Sequence, residues 1–316
     1  MKTSSIWIVA PQEVEIREID VADPGPREVQ VRCLANGICM LEVSVYKGTE
    51  RWYPFLAGHE GIGVVTKVGR EVIDIKEGDT VPCRQWQQLA NVRADGLPTF
   101  RQAPADPALV IWEPVDCVIR ALRAYAIQPG DRVLLTGAGY MGLLNVQGLA
   151  RYPLTELVVS DVNPDRLVLA KAFGATGTIV AGTPEGDARL EALTAQPFDL
   201  VIEASGALSA LQRAGDLTRA GGRLAIFAWH HGERTVNMTP WHLRGLHVIN
   251  AAPGIATDYS MNTMERTVRM IEAGIFDQSR LITHRHPAGR VREALDLALR
   301  RPPEFIKGVL DFATWQ

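Results

Sequence analysis

The stretch Arg132-Val133-Leu134-Leu135-Thr136-Gly137-Ala138-Gly139-Tyr140-Met141-Gly142 decides the fold. Its first part is a short apolar run that follows the turn signal Gln128-Pro129-Gly130-Asp131, and it reads as a buried strand. An apolar helix, Leu143 to Ala150, follows the glycines. A GxGxxG motif means little alone. Placed between a strand and a helix it is the fingerprint of a dinucleotide site. The first glycine makes the tight turn, the second admits the pyrophosphate to the backbone, and the third lets helix pack on strand. The helix N-terminus then turns its partial positive charge to the phosphates. Gly137, Gly139, Tyr140, Met141 and Gly142 are the candidate cofactor-binding turn.

Downstream the alternation continues. Leu157-Val158-Val159-Ser160-Asp161 is the next strand, and Asp161 lies 24 residues beyond Gly137. A carboxylate there accepts from both ribose hydroxyls and repels a 2′-phosphate, so the expected cofactor is NAD and not NADP. Arg166 to Phe173 is a helix ended by Gly174; Arg166 either lies against the adenine or is a solvated helix residue. Ile179-Val180, Leu200 to Ile202 and Leu224 to Phe227 extend the strand series, and Val248 to Ala252 closes it. Strands separated by helices imply a doubly wound parallel sheet. The tail carries helices at Met264–Ala273 and Val291–Leu299, then a strand at Lys307–Leu310.

Upstream the pattern is β. Val29 to Ala35 alternates at period two, Gly61 to Val68 is a second strand, and Lys76 to Val81 is a turn entering a third. Short strands punctuated by Gly and Pro suggest a partly open barrel. Asn91 to Pro107 reads as surface loop, and Cys117 to Ala126 as helix. The fold class is α/β, a barrel domain plus a parallel-sheet domain.

Within the barrel portion stand Cys39 and the run Gly58-His59-Glu60-Gly61. A thiolate, an imidazole and a carboxylate suit zinc and leave a fourth position for substrate. The chain has 316 residues, 47% hydrophobic and 22% charged, with a net charge of −3, which gives no footprint for nucleic acid or an anionic membrane. No run reaches the ~18 apolar residues of a membrane span, and the expected location is cytoplasmic. Of the remaining cysteines, Cys33 and Cys117 read as small buried hydrophobes, and Cys83 stays undecided. No CxxC pair occurs.

Gly37-Ile38-Cys39, Gly58-His59-Glu60-Gly61, Lys76-Glu77-Gly78-Asp79, Glu113-Pro114-Val115, the glycine fingerprint and Phe305-Ile306-Lys307 together resemble the zinc-containing medium-chain dehydrogenase/reductase superfamily, the alcohol, sorbitol and threonine dehydrogenases. The resemblance implies a GroES-like catalytic domain, residues 1–119 and 256–316, around a Rossmann NAD-binding domain, 120–255. It implies that Cys39 and His59 are zinc ligands, that Glu60 is a ligand or a neighbour that swings in, and that Glu113 approaches the metal directly or through water. It places Glu42 as the carboxylate orienting the ligand histidine, and Lys307 at the cofactor pyrophosphate. The implied reaction is hydride transfer between NAD and a secondary alcohol, with a polyol, cyclitol or sugar-derived substrate, in a homodimer or tetramer. Zinc lowers bound water's pKa from 15.7 to about 7, roughly 12 kcal/mol, which bounds its help in ionising an alcohol.

Two departures stand out. The four-cysteine lobe of a structural zinc is missing, so one catalytic ion per chain is expected. Leu41 stands where the family has a proton-relaying Ser or Thr, and leucine cannot relay a proton. His230 and His231, after a strand of the nucleotide domain, are the candidate alternative for contacting substrate or shuttling its proton; Ser44 and Tyr46 are weaker ones. Trp52, Trp86 and Trp112 are candidates for stacking on a sugar ring. The rival readings are a zinc-independent quinone or alkene reductase of the same fold, and a non-catalytic nucleotide-binding protein.

Overall fold

The computed structural model describes residues 1–251 and 261–315. In chain order the elements are β1 (Lys2–Ala10), β2 (Glu13–Asp20), β3 (Glu28–Gly37), α1 (Met40–Lys47), β4 (Phe55–Leu56), β5 (Gly61–Val68), β6 (Thr80–Cys83), β7 (Leu89–Arg93) and α2 (Glu113–Ala124). There follow β8 (Arg132–Thr136), α3 (Tyr140–Leu149), β9 (Glu156–Asp161), α4 (Pro164–Ala172), β10 (Gly177–Val180), α5 (Pro184–Ala192), β11 (Phe198–Glu203), α6 (Leu208–Asp216), β12 (Thr218–Ile226), α7 (Thr239–Leu243) and β13 (His247–Asn250). The tail holds α8 (Met261–Glu272), β14 (Ile282–Pro287), α9 (Val291–Arg300) and β15 (Lys307–Asp311). Two compact units result: Met1–Asp116 with Ser260–Gln316, and Cys117–Tyr259.

The first unit is a barrel-like pair of sheets. One has the order β2-β1-β4, the other β14-β15-β3-β5-β6, with β7 also on β3. Strand β3 is long enough to share one edge: β7 takes its first half (Gln30 opposite Asn91) and β15 its last (Val309 opposite Gly37). Ile6, Ile8, Val31, Val65, Val81 and Leu310 lie in its core, all nearly inaccessible. The second unit is a parallel sheet, β10-β9-β8-β11-β12-β13. Strands β8, β9 and β11 are apolar along most of their length because helices cover both faces of such a sheet. The strand order reverses between β8 and β11, the place where ligands of such sheets bind.

Two segments differ from the sequence expectation, and two more, α1 and β14, carry no assignment in it. Met40–Lys47 carries valines and a tyrosine that favour strand, yet it is helical. Glu42, at the third helical position, reaches back to accept from the Cys39 N–H at 3.2 Å, and left-handed Gly48 closes the other end. Strand β7 takes Asn91–Arg93 out of the expected loop, because Gln30 across the ladder donates to the polar Asn91. Strand β14 is too charged to show an apolar period, and it is an edge strand. The last strand of the parallel sheet is His247–Asn250, and Ala252 lies outside the described residues.

Candidate active site

Glu42 organises the first cluster. It is fully buried, and its Oε1 accepts from the Gly58 N–H at 3.0 Å and lies 2.9 Å from His59 Nδ1. Its Oε2 holds the Cys39 N–H. One carboxylate thus fixes the helix start that carries the cysteine and the loop that carries the histidine. With Nδ1 on Glu42, the other ring nitrogen is left for Cys39, whose thiol is hydrogen-bonded to the ring. Donor atoms of Cys39, Glu42 and His59 lie within 4.8 Å of one another, and so do those of His59, Glu60 and Glu113. Glu113 enters as the first residue of α2.

Glu60 is 2% exposed and held from two sides. Its N–H donates to Asn36 Oδ1 at 3.1 Å, and its Oε2 pairs with Lys307 Nζ at 2.5 Å. The Lys307 ammonium also donates to the Ile38 carbonyl at 3.0 Å and is 5% exposed. Gly37 is the floor beneath this carboxylate: a Cβ there would lie 1.8 Å from Glu60 Oε2. The sequence expectation put Lys307 on the cofactor pyrophosphate. The structure buries its ammonium against Glu60, because β15 pairs with the end of β3 and brings residue 307 to the candidate metal cluster.

The electrostatics show a donor set that attracts positive charge. Burial works against an imidazolium at His59, yet the Glu42 carboxylate and Cys39 together hold its pKa well above the ordinary range. Burial likewise opposes the Lys307 charge, and Glu60 overrides it. Glu42 suffers burial too, but His59 and the Gly58 N–H keep its carboxyl below the usual value. Burial pushes the Cys39 thiol up, Glu60 adds to this, and the His59 hydrogen bond only partly offsets them. A dication inverts that logic and favours the thiolate. Sulfur, nitrogen and oxygen donors converging with the histidine already oriented by a carboxylate fit zinc.

In the second unit each fingerprint glycine has its own reason. Gly137 has φ +97°, and a Cβ on it would lie 2.7 Å from the Ser205 backbone. A Cβ on Gly142 would meet the Gly137 carbonyl oxygen at 1.9 Å, so the helix could not close on the turn. A Cβ on Gly139 would meet no other described part of the chain within 4 Å, which leaves room for a ligand against the backbone. Tyr140 and Met141 begin α3. Asp161 Oδ2 accepts from the Ala138 N–H at 2.6 Å and Oδ1 from Asn163 N–H at 2.8 Å, so its charge is fixed beside the turn. Arg166 lies in α4, half-buried.

The structure separates the paired histidines. His230 Nε2 lies 2.7 Å from Glu203 Oε2, while His231 stacks on the half-exposed Trp229 at 4.2 Å. Three sequence candidates move into the framework. Trp86 and Trp112 are buried core residues whose indole N–H groups donate to the Gly37 and Cys83 carbonyls, leaving Trp52 exposed among the three. Tyr46 is buried with its hydroxyl on Asp296 and its pKa pushed up to about 12 by burial and then by Asp296. Cys83 is buried, as are Cys33 and Cys117. Sequence reasoning missed Asn36 and Glu203. Glu203 closes an apolar strand at the sheet's reversal point, and that position was a readable signal.

Comparison with known proteins agrees with this architecture. Residues 25–101 match the alcohol dehydrogenase GroES-like domain, and residues 141–271 match the zinc-binding dehydrogenase family. An alcohol dehydrogenase of Rhizobium meliloti (strain 1021) is 30% identical, covering 69% of this chain and 74% of its own length. L-galactonate-5-dehydrogenase of Escherichia coli (strain K12) is 24% identical across 99% of this chain and all of its own. A solved alcohol dehydrogenase of Escherichia coli CFT073, complexed with NADH, superposes with a TM-score of 0.85 at 24% identity, over 98% of this chain and 99% of that one. The chain belongs to the zinc-binding alcohol dehydrogenases of the medium-chain dehydrogenase/reductase superfamily.

Proposed function

We propose that this protein is a zinc- and NAD-dependent dehydrogenase that moves a hydride between NAD and a secondary alcohol of a polyol, cyclitol or sugar-derived substrate. The observation that carries the zinc reading is the Glu42–His59–Cys39 arrangement, in which a buried carboxylate pins one ring nitrogen and leaves the other for the thiol's side. Cys39, His59 and Glu113 would hold the ion. Glu60 is held back by Lys307, whose ammonium also donates to the Ile38 carbonyl. When bound, zinc supplies Lewis acidity that lowers the pKa of an oxygen ligand.

The chain's own residues do the rest. Glu42 keeps the proton on His59 Nδ1, so that Nε2 presents a lone pair. Asp161 places negative charge beside the glycine turn, which supports NAD over NADP. Leu41 packs against the barrel core and offers no proton path. We assign the alcohol's proton to His231, which stacks on the half-exposed Trp229. Support for the substrate class comes from Glu113-Pro114-Val115 and from the relative named for L-galactonate, a polyhydroxylated acid. Exposed β13, with Val248 41% accessible at the sheet edge, supports assembly as a homodimer.

The decisive experiment is NADH formation across a panel of polyols, cyclitols and sugar acids, with zinc content measured on the same sample. Turnover that tracks zinc across partially loaded preparations is expected. Equal turnover in zinc-free protein would favour the zinc-independent reductase reading and end this one.

A further inference from the structure

The end of β11 carries a polar assembly that the zinc chemistry does not use. Glu203 is fully buried there, opposite Thr136 of β8 on one side and Ile226 of β12 on the other. Its Oε1 accepts from the Ser205 N–H at 2.7 Å, the Ser205 hydroxyl at 2.5 Å and the Gly206 N–H at 3.0 Å. Its backbone carbonyl accepts from the N–H groups of Phe227 and Ala228, each at 2.9 Å, and so ties down the loop that carries His230. Its Oε2 faces His230 Nε2 at 2.7 Å. The His230 side chain is only 10% exposed, and its buried Nδ1 has no hydrogen-bond partner among the described residues.

A carboxylate only accepts, so Nε2 carries the hydrogen. In the neutral ring Nδ1 is then a lone-pair acceptor. Leaving such an acceptor buried and unmet costs free energy, so the site is built for a donor that arrives from outside. The place says which one. Glu203 stands at the reversal point of strand order, and Ser205, on its Oε1, packs against the first fingerprint glycine. Dinucleotides lie across that crevice.

We propose that His230 is a cofactor-positioning residue whose Nδ1 accepts a hydrogen bond from the nicotinamide nucleoside. Two groups there can donate, the carboxamide N–H and a ribose hydroxyl. Glu203 acts through His230 by fixing its tautomer. This rests on the nucleotide reading of the second unit and adds a side-chain contact to it.

The test is calorimetric binding of NADH, ADP-ribose and ADP to the whole protein, as wild type, His230→Phe and Glu203→Gln. Phenylalanine keeps the ring and deletes the acceptor. In the glutamine variant the Ser205 and Gly206 donors hold the amide oxygen at the Oε1 place, which turns the NH2 toward Nε2. The ring must then accept at Nε2 and carry its hydrogen at Nδ1, so the acceptor becomes a donor. Both variants are expected to weaken NADH about 3- to 10-fold while ADP binding holds. Unchanged ADP-ribose binding then assigns the carboxamide; an equal loss with ADP-ribose assigns the ribose. NADH affinity within twofold of wild type in both variants would overturn the proposal. So would an equal loss for ADP, which marks a merely structural role. Wild-type protein that binds none of the three sinks the nucleotide reading itself, and this proposal with it.

Discussion

Glu42 shows how much one buried side chain can settle. It meets the Cys39 N–H, the Gly58 N–H and the His59 ring at once. Glu42→Gln keeps the size but offers the ring an N–H in place of an oxygen. We expect zinc affinity to fall about 10- to 100-fold, read as zinc retained after dialysis against graded chelator, with the fold intact by circular dichroism. Gly37 is the complementary case, a position defined by what it leaves empty. Gly37→Ala would drive a methyl into Glu60 Oε2, 1.8 Å away, and against Ile111 at 3.1 Å. The expected cost is about 1–3 kcal/mol of stability in denaturant titration, together with reduced zinc retention. The types Cys39, His59 and Glu60 were legible from sequence. The partner of Lys307 was not, because it is met across 247 residues of chain by the pairing of β15 with β3.

At the scale of elements, charges knit the lower ends of the parallel strands. Asp199, in β11, accepts from the Arg132 N–H at 2.9 Å and pairs with Arg219 of β12 at 2.6 Å. Burial alone would raise its pKa, but the Arg132 N–H and the Arg219 guanidinium hold the carboxyl below its ordinary 3.8. A carboxylate depressed on folding contributes stability above its unfolded pKa, and the contribution is lost as pH falls through the folded value. Asp199→Asn is therefore expected to lower the melting temperature at pH 7. The gap to wild type should shrink only below about pH 4, and a gap constant from pH 7 to pH 3 would contradict the assignment. The strand itself was readable from its apolar run. Helix α1 was not, since Val43, Val45 and Tyr46 blur its period and its ends are set by the Cys39–Glu42 cap and left-handed Gly48.

Across the whole molecule, the two compact units divide the candidate chemistry: the residues proposed to hold zinc belong to the first and the glycine turn to the second. Removing zinc with a chelator should abolish turnover while NADH binding, followed by fluorescence, changes less than about twofold. Assembly is tested at the edge of the parallel sheet. Val248→Lys puts charge on exposed β13 and is expected to shift sedimentation toward the monomer without loss of the fold.

By itself the amino-acid order determined the α/β class, the glycine turn, the place of Asp161 after the second parallel strand and the candidate metal donors. Those features are local: a strand, its turn and the next helix lie within a few residues of one another, and their periods show in a single window. Tertiary structure alone decided that Lys307 serves Glu60, that Trp86 and Trp112 are framework, and that His230 is fixed by Glu203 while His231 stacks on Trp229. Each of those depends on strand pairing between segments remote in sequence, and the direction in which a buried polar group finds its partner exists only once the sheets have closed.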